Sequence, residues 1–371
     1  MIKTSEYVSP GHPDKMCDYV SSYILDRLLE IDEQTRFALE VQAKDETVNL
    51  AGEITTRAFP SKLPAKLGQW TCDAVAEIGY TEDYARRWEG CAPSADRLVV
   101  NQFVSRQSPD IAEGVDRNGW GDQGIFFGMA ASEKEFDFMP RDIFIARRLG
   151  FDLYLLAREG ALPIGLDIKT QVSIDTTDGE VVEIIVAAPI IAVDDRLVIR
   201  KINYFVKKTV QDLTGQQHVP DAIINGTGSY RVHSTLADAG TTGRKLAVDF
   251  YGGNCPIGGG SPWTKDGTKA DLALNIYARH LAVRARFAHA ANPSSPIFCA
   301  ISCCIGSQEI ICGLYEGFDG SPMAEWRERI PAHKIIAQLG LRRPVFAHKC
   351  LSGLFKLPQN IVPLNILGEV A

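Results

Sequence analysis

Four parts of the sequence carry residue types that could do chemistry on a charged substrate. His12-Pro13-Asp14-Lys15 sets a donor, a carboxylate and a cation where a helical pattern begins, and a helix amino terminus favours phosphate through its free N–H groups and dipole. The same tetrapeptide also reads as an ordinary helix cap. The stretch 238–271 holds Asp238, Arg244, Lys245, Lys265, Lys269 and Asp271 interleaved with eight glycines. Glycines let backbone amides approach a ligand, cations offset a polyphosphate, and a divalent metal takes a few carboxylates plus phosphate oxygens. Composition leaves a second reading open here, a solvated loop with ordinary charges. Glu40 and Glu53 interrupt apolar alternating runs, either on a solvent face or as ligands for a cation or ammonium group. Asp167 and Lys169 stand two apart at the entrance of a hairpin pattern and share a face.

Other candidates fail on context. Gly119-Trp120-Gly121-Asp122-Gln123-Gly124 matches the dinucleotide fingerprint, but the polar stretch 112–118 precedes it where a buried strand is required. No Walker A sequence occurs. His218, His233, His280, His289, His333 and His348 show no metal-binding spacing and read as surface or satisfied residues. Nine cysteines form an odd set without a Cys-x-x-Cys pair, which argues against a disulfide framework or structural zinc and predicts a reduced, cytoplasmic setting. With 39 basic and 46 acidic residues the net charge is −7, so a dedicated binder of nucleic acid or anionic membrane is not expected and any anion site must be local. The amino terminus lacks the pattern of a signal peptide, and the longest uncharged stretch, 287–308, is broken by Asn292, Pro293 and Pro296, so no membrane span is expected.

The elements that must position these residues follow from periodicity. After Asp14, Val20, Ile24, Leu25, Leu28 and Leu29 recur at helical spacing. Phe37, Leu39 and Val41, then Val48, Leu50 and Ile54, alternate as a hairpin carrying Glu40 and Glu53. A second hairpin is expected over 170–174 and 181–186, turning through Asp178-Gly179. A third unit reads as a strand over 245–250, a glycine-rich loop, and a helix from about 271 to 289. Three hairpin-plus-helix units predict an α+β chain of three similar layers, each a sheet covered by helices on one side. The length of 371 residues suits two to three domains. The stretch 81–120, mixing Gly, Pro, Ser and Asp, reads as a mobile surface loop or lid.

Taken in order, these motifs resemble the S-adenosylmethionine synthetase family. The matching stretches include Val8-Ser9-Pro10-Gly11-His12-Pro13-Asp14-Lys15, Gly52-Glu53-Ile54-Thr55-Thr56, Gln107-Ser108-Pro109-Asp110-Ile111, Gly121-Asp122-Gln123-Gly124, Asp167-Ile168-Lys169-Thr170-Gln171-Val172, Thr241-Thr242-Gly243-Arg244-Lys245 and Gly258-Gly259-Gly260, then Lys265, Lys269 and Asp271. The resemblance implies three related α+β domains about a pseudo-threefold axis, here 1–108, 118–232 and 233–371 with some interleaving, and a lid at 107–117. It implies active sites between subunits of a dimer, possibly within a tetramer. It further implies that Asp14 and Asp271 bind magnesium, two ions per site, and that Glu40 binds potassium. By the same pattern His12, Lys15, Arg244, Lys245 and Lys265 hold the triphosphate of ATP, with Asp167, Lys169, Ser229, Tyr230, Asp238 and Ser261 along the nucleotide. Glu53, Gln107, Asp238 and Lys269 surround methionine, and His12, Lys15, Arg244, Lys245, Lys265 and Lys269 carry the catalysis.

The implied reaction is attack by the methionine sulfur on the 5′ carbon of ATP, with loss of the triphosphate and its hydrolysis to pyrophosphate and phosphate. The resemblance is to a divergent member. Pro10 stands where the family has Glu, Ser229 where it has Arg, His233-Ser234 where it has paired glycines, Pro262-Trp263 in place of Phe-Ser, and Ile305-Gly306 in place of Glu-Pro. Those changes keep two alternatives in view: an ATP-binding paralogue without turnover, or an adenosyltransferase for another sulfur nucleophile.

Overall fold

Alternating hydrophobicity builds twelve strands among the described residues, in chain order Ile2–Val8 (β1), Arg36–Lys44 (β2), Thr47–Thr55 (β3), Val99–Ser105 (β4), Gly124–Ala130 (β5), Lys169–Asp175 (β6), Val181–Ala187 (β7), Ile223–Ile224 (β8), Gly240–Thr241 (β9), Ile297–Cys303 (β10), Glu309–Glu316 (β11) and Ser321–Arg329 (β12). The structure, a computed structural model, describes residues 1–59, 61–107, 119–191, 196–228, 230–288 and 294–355. The strands form three four-stranded sheets, ordered β1-β6-β7-β8, β4-β3-β2-β9 and β12-β11-β10-β5. Each sheet buries one face under a helix: Arg141–Arg158 on β1 and β6, Pro13–Leu29 on β2, and Ala270–Ala288 on β5 and β10. The chain is thus an α+β protein with three sheet-plus-helix layers, as the periodicity predicts.

Sheet membership crosses the expected domain boundaries. β1 pairs antiparallel with β6, Tyr7 facing Thr170, and β5 pairs with β10, Phe127 facing Ala300. Both expected hairpins form, with Glu40 opposite Ala51 and Val172 opposite Ile184. β5 lies so close to the Ala270–Ala288 helix that a Cβ on Gly128 would fall 2.1 Å from the carbonyl carbon of Ala278. That close approach fixes the helix whose first turn carries Asp271.

Two expectations need correction. The strand expected over 245–250 is a single helical turn, Leu246–Asp249. A strand would turn Asp249 outward, whereas Val248, Asp249, Phe250 and Tyr251 are all buried because Lys15 and Trp263 bind the Asp249 carboxylate inside. The stretch 81–120, expected as a mobile loop, holds the helix Glu82–Arg87 and the strand β4, which pairs in parallel with β3. The expected lid, apart from Gln107, lies outside the described residues.

Candidate active site

One edge of β2 organises the site. At its far end Gln42 and Ala43 pair with Thr241 and Gly240 of β9. Nearer its start, Leu39 donates its N–H to the carbonyl of Thr264 (2.9 Å), Phe37 donates to Oδ2 of Asp266 (2.8 Å), and Ala38 bridges Lys265. Two segments that carry cations therefore hang on one strand edge, four residues or roughly 13 Å apart along it.

The first segment meets the start of the Pro13–Leu29 helix. His12 caps that helix, its Nδ1 accepting the N–H of Asp14 at 3.2 Å. An accepting Nδ1 puts the proton of a neutral imidazole on Nε2, which is then a donor. Burial, followed by the repulsion of Lys245, pushes the His12 pKa down to about 3, so that neutral form holds near pH 7. The Asp14 carboxylate is 2% exposed and accepts from Lys245 Nζ (2.6 Å) and the N–H of Thr241 (2.9 Å), with Arg244 Nε at 3.6 Å. Burial would raise its pKa, but the bonds from Lys245 and Thr241 outweigh it and hold Asp14 below its ordinary value. The group is an ionised carboxylate beneath two cations.

The second segment meets the helix Ala270–Ala288. Lys265 Nζ bonds the Asp271 carboxylate, and Asn275 Nδ2 grips the Asp271 carbonyl at 2.6 Å. Gly260 makes this possible, since a Cβ there would sit 2.1 Å from the Asp271 carboxyl carbon. The Lys269 side chain, half-buried, has no hydrogen bond or ion pair among the described residues. Ser261 Oγ accepts the N–H of Trp263 at 3.3 Å. Asp238 is exposed and accepts its neighbour's N–H.

A third group gathers round Asp167, whose Oδ2 accepts from Tyr230 Oη (2.7 Å) and the N–H of Ser234 (2.8 Å). Burial outweighs those bonds and pushes the Asp167 pKa up to about 6. Ser234 holds φ at 57° to aim that N–H. His233 beside it is fully buried among Tyr80, Tyr84 and Trp88. Its Nδ1–H donates to the Arg231 carbonyl while Nε2 accepts from Tyr84 Oη, which itself accepts the N–H of Leu166. His233 is therefore the satisfied histidine of the two alternatives read from the sequence. Lys169 Nζ stands 3.6 Å from Glu6, exposed, and close enough to disfavour protonation of His12.

Lys15 lies deeper than the other cations. Its ammonium is buried between Asp249 Oδ1 (2.7 Å) and Asp18 Oδ2 (3.2 Å), with the Trp263 ring 4.7 Å away. Two carboxylates flank it, so in this structure it braces the interior. Trp263 Nε1 donates to Asp249 (2.8 Å) and Asp18 accepts the N–H of Gly243 (2.9 Å), tying the glycine-rich loops to the first helix. Sequence reading missed Asp18, Thr241 and Asp249; only the placement of Asp18 one turn after Lys15 gave a signal.

Glu40 lies on the open face of β2 and accepts from Thr242 Oγ1. Glu53, half-buried on β3 opposite Ala38, shares that face. Gln107 ties its N–H to Thr55 Oγ1 (3.1 Å), and its buried Oε1 has no partner among the described residues. Ser229 lies outside the described residues. Asp14 and Asp271 each hold a lysine, and among the described residues no group of three or more His, Cys, Asp or Glu side chains could hold a metal. Single hard carboxylates of this kind fit a small divalent cation that completes its shell with phosphate oxygens and water. A closed protein cage for a metal is not what they form.

Comparison with known proteins follows this layout. Three sequence models of S-adenosylmethionine synthetase match the chain: the N-terminal domain over residues 1–109, the central domain over 117–230 and the C-terminal domain over 232–361. The S-adenosylmethionine synthase of Mesoplasma florum is 32% identical, covering 95% of this chain and 94% of its own. That of Helicobacter hepaticus is 36% identical over 75% of this chain and 72% of its own. A solved structure described as an unusual S-adenosylmethionine synthetase from Campylobacter jejuni superposes with a TM-score of 0.80 at 30% identity, covering 98% of this chain and 96% of that one.

Proposed function

The chain belongs to the S-adenosylmethionine synthetase family and so joins ATP and methionine as a methionine adenosyltransferase, and from that premise we propose how its own residues divide the work. The observation that carries the reading is the pair of lysine–carboxylate groups, Lys245 with Asp14 and Lys265 with Asp271, hung on one edge of β2. A thioether has no proton to lose, so displacement at the 5′ carbon needs no general base. The demand falls on alignment and on charge that gathers on the leaving oxygen. Arg244, Lys245 and Lys265 meet that charge along the triphosphate, and the Nε2–H of neutral His12 is the donor at its bridging oxygen.

Asp167 and Tyr230 hold the nucleoside end, with Lys169, Asp238 and Ser261 beside it. Glu53, Gln107, Asp238 and Lys269 receive methionine; the Lys269 ammonium and Gln107 Oε1, without partners among the described residues, suit its carboxylate and ammonium. The family uses metal ions. Asp14 and Asp271 would hold magnesium, which supplies positive charge against the triphosphate, and Glu40 would hold potassium. The family pattern implies that such a site is completed across a homodimer, and we take it to be so here. The protein then works in the cytoplasm.

The test is an assay of the purified protein with ATP and methionine that detects the sulfonium product and phosphate together. Both should form in equal amounts with pyrophosphate. Phosphate release without sulfonium would overturn the reading, and sulfonium only with another thioether would move it to a different nucleophile.

A further inference from the structure

The helix that presents Asp271 at its first turn lines, nine residues on, a cavity walled by basic side chains. His280 lies roughly 13 Å along that helix from Asp271. The cavity has a volume of about 500 Å³ and is walled by His280, Arg343, His348 and Lys349, with Gln338 and Ser352 adding hydrogen-bonding groups. Among the described residues no aspartate or glutamate lines it. None of the four basic side chains has an ion pair or side-chain hydrogen bond among the described residues.

In a chain of net charge −7, cations gathered at a recess with no counter-charge among the described residues favour something negative joining them. Lys15, by contrast, is buried between two carboxylates. Here burial lowers the Lys349 pKa. Burial, with Lys349, Arg279 and Arg284 nearby, pushes His280 down to about 4. Relief of both comes from an anion with several acceptor oxygens, which a planar guanidinium, an ammonium and two imidazoles can surround from different sides.

We propose that this cavity is a second anion site, separate from the catalytic cluster, that takes a small phosphate-bearing molecule. Its chemistry fits a free inorganic phosphate or pyrophosphate and equally the phosphates of a nucleotide.

Calorimetric titration of the full-length protein without divalent metal tests it, with inorganic pyrophosphate as the probe and ADP as the comparison. The wild type should show two classes of pyrophosphate site. In Arg343→Gln/Lys349→Gln one class should weaken at least tenfold while turnover of ATP and methionine is kept. In Lys265→Met the other class should weaken and the first remain. ADP competing at the non-catalytic class as well as pyrophosphate does would assign a nucleotide as the occupant, and pyrophosphate binding there alone would assign a free anion. A single class in the wild type, or a non-catalytic class unmoved by the double substitution, overturns the proposal. Should the double variant fail to fold, Arg343→Gln alone, at an exposed position, carries the same reading.

Discussion

At the scale of single residues, four cations expected to do one job divide into two kinds. Arg244, Lys245 and Lys265 are partly open to solvent, and a charge-assisted contact of each with triphosphate is worth about 1.5–3 kcal/mol. Lys265→Met and Arg244→Leu should therefore slow turnover by about ten- to a hundredfold with a smaller change in methionine affinity, as steady-state kinetics in both substrates would read. Lys15→Met should instead unfold the protein more easily, by about 3–5 kcal/mol, because it strands Asp18 and Asp249 as buried carboxylates. Denaturant titration distinguishes the two, since Lys265→Met should leave the midpoint nearly unmoved. Asp167 gives a pH prediction. Its pKa is about 6 when folded, above the ordinary carboxyl value, so its contribution is fully present below about pH 4 and is lost as pH rises through 6. Stability should fall by about 3 kcal/mol over that window at 1.36 kcal/mol per unit, and Asp167→Asn, which keeps an acceptor for Tyr230 and Ser234, should flatten the curve of denaturation midpoint against pH.

At the scale of elements, the site depends on close approaches that a single methyl group would spoil. Gly260→Ala must push the loop away from Asp271, and with it the partner of Lys265. The expected outcome is a loss of turnover of tenfold or more with a thermal midpoint within a few degrees of wild type, checked by activity and melting of the same preparation. Much of this level was legible in the chain. The hairpin carrying Glu40 and Glu53, the hairpin after Lys169, and the helices that begin near Asp14 and Asp271 all stood out by period, because each buries one face locally. The turn Leu246–Asp249 did not, because Lys15 and Trp263 impose it from outside the segment. Nor did the pairing of β1 with β6, whose partners lie more than 160 residues apart. The fate of Lys15 was hidden for the same reason, since Asp249 reaches it from 234 residues downstream.

At the scale of the whole molecule, the sheet β4-β3-β2-β9 leaves one face open, and Val99 (58% exposed) and Phe103 (67% exposed) stand outward on β4. If that face joins two copies, Phe103→Asp should yield a folded monomer with little activity, seen as a halved mass in sedimentation with unchanged circular dichroism. The edge of β2 has a further consequence, for the chain as it is made. Its partners at 240–242 and 264–266 emerge about two hundred residues after β2 itself. At 5–20 residues per second, that strand leaves the ribosome with an unpaired edge for roughly 10 to 40 s. The same row of N–H and C=O groups that later seats the catalytic segments is, until then, a template open to any passing strand.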